Sequence, residues 1–143
     1  MLAMLVSACG GESDPEDAVD PVGRYSIFEC VDGCLEFFED YFAGRFVDVS
    51  EDGTLVLFAA EETVMEASVD CDAESCVVAA MSSFVVEEYD DAGFIGAYIV
   101  EDLTLSIPGG CGGTLSFDYQ CVDWFDGRSC SGSVTFQISC NQN

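Results

Sequence analysis

Two kinds of side chain dominate the chemistry open to this sequence: nine cysteines and 28 carboxylates. The chain has no histidine and no lysine, and its three cations are Arg24, Arg45 and Arg128. Its serines therefore have no imidazole or amine to activate them, and neither an imidazole-bound zinc nor a Schiff base can form. Paired carboxylates can hydrolyse glycosides, but among 28 acids close pairs arise by chance and none stands out. Asp48-x-Ser50-x-Asp52-Gly53 matches the first half of a calcium-binding loop. Its twelfth position is Ala59, where the bidentate glutamate belongs, so the segment reads first as a hairpin. Asp48, Ser50 and Asp52 remain weak calcium candidates, and no other cofactor is expected. The glycine-rich run Gly109 to Gly113 has no cation near it in sequence and reads as a corner rather than a phosphate cradle. A non-enzymatic role is expected.

The charge is 3 − 28 = −25. Nucleic acid and anionic lipid headgroups require a basic footprint, so both are excluded as partners. Such an acidic surface suits a saline medium, where screening over a few ångströms removes the self-repulsion. Apolar residues nonetheless make up half the composition, which places the chain among folding sequences and not acidic disordered ones.

The cysteines divide into one and eight. Cys9 closes Val6-Ser7-Ala8-Cys9, which resembles the lipobox of bacterial lipoproteins, where the cysteine is acylated and becomes the first residue. Residues 10–22, with five acids and two prolines, suit a solvated tether. Eight residues precede Cys9 and none is basic, so a longer leader with an earlier start codon is expected. Gly10 is not aspartate, and the resemblance therefore implies the outer membrane, with attachment through the lipid on Cys9. The expected organisation is a signal-peptide remnant at 1–8, a lipidated tether at 9–22 and one disulfide-stapled domain at 23–143.

The other eight cysteines form an even set in an exported chain, which points to structural disulfides. Eight allow 105 pairings. Local spacing favours Cys71–Cys76 across a four-residue loop, Cys121–Cys130 across a longer turn and Cys30–Cys34 around residues 31–33. Cys111–Cys140 is left by elimination.

These staples need a sheet to hold, and from Arg24 onward the pattern has period two. Val47 and Val49, then Asp52-Gly53, then Val56 and Phe58 read as a hairpin. Asp-Gly at both central positions of a type I′ turn would pair 49 with 56 and 47 with 58, placing all four on one face. Around the Cys71/Cys76 turn, Val69 faces Val78 and Ala67 faces Ala80. Leu115, Phe117, Tyr119 and Cys121 alternate with polar residues, as do Val134, Phe136, Ile138 and Cys140. Further strands are expected at 24–30, 84–89 and 94–107. Residues 34–43 instead follow a 100° period that gathers Phe37, Phe38, Tyr41 and Phe42 on one face, a helix with Asp32 as N-cap and Gly44 just past its end. The fold class is mainly β: an antiparallel meander of about eight strands closing into a small barrel or sandwich, with one amphipathic helix between the first two strands.

Gly23-Arg24-Tyr25 resembles the Gly-x-Trp/Tyr opening of lipocalin-like barrels, and Val49 to Leu55 resembles a hairpin frequent in lipocalin-like lipoproteins. The resemblance implies a small barrel and, as one function, carriage of a small apolar ligand. Volume argues otherwise, because an eight-stranded barrel is just wide enough to be filled by side chains. Val47, Val49, Phe58, Phe117, Phe136 and Ile138 are the expected fillers, with the helix's aromatic face beside them. Recognition of a protein partner would then fall to the outer surface, with Trp124 and Phe125 at a turn tip as contact candidates.

Overall fold

The computed structural model describes residues 20–59, 62–108 and 112–140. Cys9, the expected tether up to residue 19, and Cys111 lie outside the described residues. Nine strand segments and one helix are present: β1 (Gly23–Asp32), α1 (Glu36–Phe42), β2 (Phe46–Val49), β3 (Thr54–Phe58), β4 (Glu62–Cys71), β5 (Ser75–Ala80), β6 (Phe84–Asp90), β7 (Gly93–Pro108), β8 (Gly113–Val122) and β9 (Ser131–Cys140). Eight of the strands close an antiparallel barrel, because β5 pairs with β7 and β1 pairs with β9. This is the architecture that the lipocalin-like resemblance implied. Among the described residues no helix is long and apolar enough to cross a membrane.

β6 is the ninth segment. It lies along the same edge of β7 as β5 does: Ala79 faces Thr104, and Phe84 faces Val100. β5 and β6 are thus one strand path interrupted at residues 81–83. Opposite the interruption, β7 shifts register between Glu101 and Thr104, with Asp102 in the left-handed region at φ 56°.

The alternating residues of β8 and β9 fill the interior. Leu115, Phe117, Val134 and Phe136 are all 0–2% exposed. The β2–β3 hairpin corrects the expected register. Val49 pairs with Leu55 and Val47 with Leu57, not with 56 and 58. The cause lies in the turn. Of its residues only Gly53 has positive φ, at 85°, whereas a type I′ turn needs two. Ser50 N–H donates to the Thr54 carbonyl at 3.0 Å, leaving a three-residue loop. One residue of slip turns the strand over. Leu55 and Leu57 are fully buried, while Phe58 lies on the outer face with Phe46, both under the Arg24 guanidinium at 5.0 and 5.1 Å.

α1 plugs the barrel. Phe38 and Phe42 are fully buried, with ring centroids 5.1 Å from Phe117, and Phe42 reaches Phe136 at 5.7 Å. The helix is shorter than expected, and Asp32 is not its N-cap. Asp32 instead continues β1 and pairs with Thr135 on β9, so the chain turns only at Gly33, and extended Leu35 occupies the cap position. A side chain at Gly33 would collide with the Ser133 carbonyl 1.8 Å away. Gly44 follows the helix at φ 80°, the left-handed residue that ends it.

Disulfides join Cys30 to Cys34, Cys71 to Cys76 and Cys121 to Cys130, with Cα separations of 5.8, 4.0 and 5.0 Å. Cys140 is disulfide-bonded as well. Stapling of this density indicates an extracytoplasmic protein, since reducing compartments keep thiols open.

Candidate functional site

The antiparallel order gives the barrel two unlike ends. At one end lie the β2–β3 and β4–β5 turns and the incoming residues 20–22. The Tyr25 hydroxyl donates to the Pro21 carbonyl at 2.8 Å, and a cleft of about 410 Å³ opens among Val22, Val49, Gly53 and Val69. At the other end are α1, the β6–β7 turn and the long β8–β9 loop, residues 123–130.

That loop returns over the barrel mouth. Trp124 is 7% exposed, and its indole N–H donates to the Ala97 carbonyl at 3.0 Å. The ring lies against β7 because position 96 has no side chain: a Cβ on Gly96 would sit 2.1 Å from the indole. On its other side the Arg128 guanidinium stands 4.4 Å from the ring centroid, tied to Asp126 at 3.0 Å. Phe125, the next residue, is 76% exposed. Of the two contact candidates, then, one covers the mouth and the other stands in solvent.

Beneath Trp124 an aromatic wall continues. Tyr98 meets Trp124 edge-on at 5.4 Å, Phe37 of α1 stacks on Tyr98 at 5.1 Å, and Tyr119 lies edge-on to Tyr98 at 5.8 Å. The Tyr98 hydroxyl donates to Glu88 Oε1 at 3.1 Å. Burial, then the Glu88 charge, pushes the Tyr98 phenol up to about 12. Between these rings opens a cleft of about 390 Å³, reached by Glu36, Glu88 and Arg128. Sequence reasoning missed this grouping. The signal available was Gly96 inside a strand, which marks a close approach, together with one tryptophan in a loop.

The other candidate residues engage one another. Arg24 holds both Asp48 carboxylate oxygens, at 2.7 and 3.0 Å. The Ser50 hydroxyl donates to Asp52 at 2.6 Å. Asp48, Ser50 and Asp52 thus serve the hairpin and its flank, Asp48 through Arg24 and Asp52 through Ser50. Hydrogen bonds inside their own turns hold three carboxyls below the usual range: Asp52 by Ser50, Asp72 by the backbone N–H groups of Glu74 and Ser75, and Asp126 by Arg128. They are turn-stabilising anions, the opposite of carboxyls kept protonated as general acids. No polar or charged side chain is fully buried among the described residues.

Comparison with family models, with curated proteins and with solved structures finds no match for this chain.

Proposed function

We propose that this is a non-enzymatic protein of the cell envelope, exported, acylated at Cys9 and held at the outer membrane, with a structural or protein-interaction role exerted through its surface. One observation carries the reading: the barrel axis is occupied by the protein's own aromatic side chains. Phe38 and Phe42 enter from α1 and pack on Phe117 and Phe136 with almost no exposure. Withdrawing either helical ring to admit an internal ligand would forfeit roughly 1.5–3 kcal/mol of burial. Recognition is therefore assigned to the outside, where Phe125 on the β8–β9 loop is the most exposed large apolar residue described. The stapled, acidic exterior supports the same assignment, because it keeps the domain soluble and rigid where no reductant or chaperone protects it.

Two measurements test the reading. Intact-mass spectrometry of protein made from the full-length gene should find Cys9 carrying acyl chains, and an unmodified N-terminus would remove the anchor. Titration with a solvatochromic fatty acid should show no saturable binding. A 1:1 complex at micromolar affinity would replace the filled barrel with a carrier of small apolar ligands.

A further inference from the structure

We propose that the cleft at the helix end of the barrel, between Phe37, Tyr98, Tyr119 and Trp124, binds a small organic cation bearing an ammonium group. The proposal stands whether or not Cys9 is acylated.

Aromatic faces attract cations through the negative potential above the ring. Four such residues line one opening of about 390 Å³, a volume at the small-ligand end of binding pockets. Tyr98, Tyr119 and Trp124 are 5–8% exposed, Tyr98 is stacked on Phe37 and Trp124 lies under Arg128, so an outside cation gains a desolvated ring face chiefly where it replaces Arg128. Two carboxylates, Glu36 and Glu88, reach the same opening, and the local cation Arg128 is already bound by Asp126. The local balance is therefore acidic, within a molecule carrying −25. That field concentrates cations and repels anions.

The site already displays the chemistry it would recognise. The Arg128 guanidinium sits 4.4 Å from the Trp124 centroid, an internal cation on one ring of the cluster. Arg128 is half-exposed and confined to a loop, so it acts as a competitor that an outside ammonium displaces or adjoins. Glu88 supplies the opposing charge from β6, fixed by its bond from Tyr98.

Trp124 is the chain's single tryptophan, so its fluorescence reports this cleft alone. The protein is titrated with choline chloride, against sodium chloride at equal ionic strength. Expected is a saturable emission change of 1:1 stoichiometry that sodium does not produce. Glu88→Gln should weaken binding by about tenfold, because the opposite charge facing the ammonium across a partly desolvated cleft is lost. Arg128→Gln should tighten it, because a competing cation leaves. Glu74→Gln, at the opposite end of the barrel, should change nothing. Equal affinity for the neutral isostere 3,3-dimethylbutanol would show an apolar pocket and overturn the proposal. So would preferential binding of acetate, or binding to phosphatidylcholine vesicles without binding to free choline. A change that rises linearly with choline and matches the sodium control would also refute it.

Discussion

Gly96→Ala tests the closure of the barrel mouth with one methyl group. The new Cβ would lie 2.1, 2.4 and 2.6 Å from three indole atoms of Trp124. Separations under 3 Å are not tolerated, and β7 cannot retreat because Ala97 and Tyr98 on it are paired to Val122 and Cys121 of β8. The indole must leave. Its departure costs a hydrogen bond to the Ala97 carbonyl, about 1 kcal/mol. It also loses much of the burial of a large aromatic, about 1.5–3 kcal/mol, and an edge contact with Tyr98 of about 0.5–1.5 kcal/mol. These overlap, and Arg128 can follow the ring, so the net is placed at about 3 kcal/mol. For a domain of this size that lowers the melting temperature by roughly 10 °C. The assay is direct, since the chain holds one tryptophan: emission should shift to the red and acrylamide quenching should rise several-fold. Gly44→Ala is the control. Its φ of 80° makes alanine strained, but nothing stands within 4 Å. It should cost about 1 kcal/mol and leave the emission unchanged. A Gly96→Ala protein with native emission and native melting temperature would refute the packing of Trp124 on β7.

Three further outcomes follow from the same geometry. Leu57→Ala should cost about 2–5 kcal/mol by denaturant unfolding, whereas Val56→Ala, on the outer face, should stay under about 1 kcal/mol; the reverse order would restore the type I′ register. In an alkaline titration followed by ultraviolet absorbance, Tyr98 should ionise near pH 12, after the exposed tyrosines. Because the folded state holds this proton more tightly, its contribution to stability is complete below about pH 10 and is lost as pH rises toward 12. Titration of all the tyrosines together near pH 10 would contradict the Tyr98 environment. Finally, the melting temperature should climb between about 0.01 and 1 M sodium chloride, as the screening length falls from roughly 30 to 3 Å and relieves the self-repulsion of −25. A salt-independent melt would mean that this charge exerts no net strain on the fold.

The meander, the single helix and the inward faces of β8 and β9 were legible because each rests on a period that one-sided burial imposes on sequence. Leu115, Phe117, Val134 and Phe136 alternate cleanly, and each one is buried. The aromatic arc of α1 was legible for the same reason. What escaped was set by geometry between segments. Asp52-Gly53 is compatible with two loop lengths, and the choice depends on whether Asp52 takes positive φ, which it does not. Asp32 is a good capping residue by type, yet its backbone pairs with β9, a competing partner 103 positions away. β5 and β6 read as two strands without any sign that they lie end to end on β7. The mouth cleft was the least visible part. Its rings come from α1, β7, β8 and a loop, and Phe37, Tyr98, Tyr119 and Trp124 share no spacing that a linear reading can detect.

The bond from the Tyr25 hydroxyl to the Pro21 carbonyl fixes where the chain enters the barrel, at the end away from α1. Entry there gives the domain a polarity of display. An attachment point anywhere upstream of Asp20 grips the barrel by its turn end, leaving the helix, the exposed Phe125 and the aromatic mouth farthest from whatever surface holds the chain. The same substituent at residue 140 would not invert this arrangement, because β9 also finishes beside the β1 start, Tyr25 opposite Cys140. Both termini of the described fold leave through one pole, so a reporter or linker fused at either end leaves the mouth free to meet what approaches it.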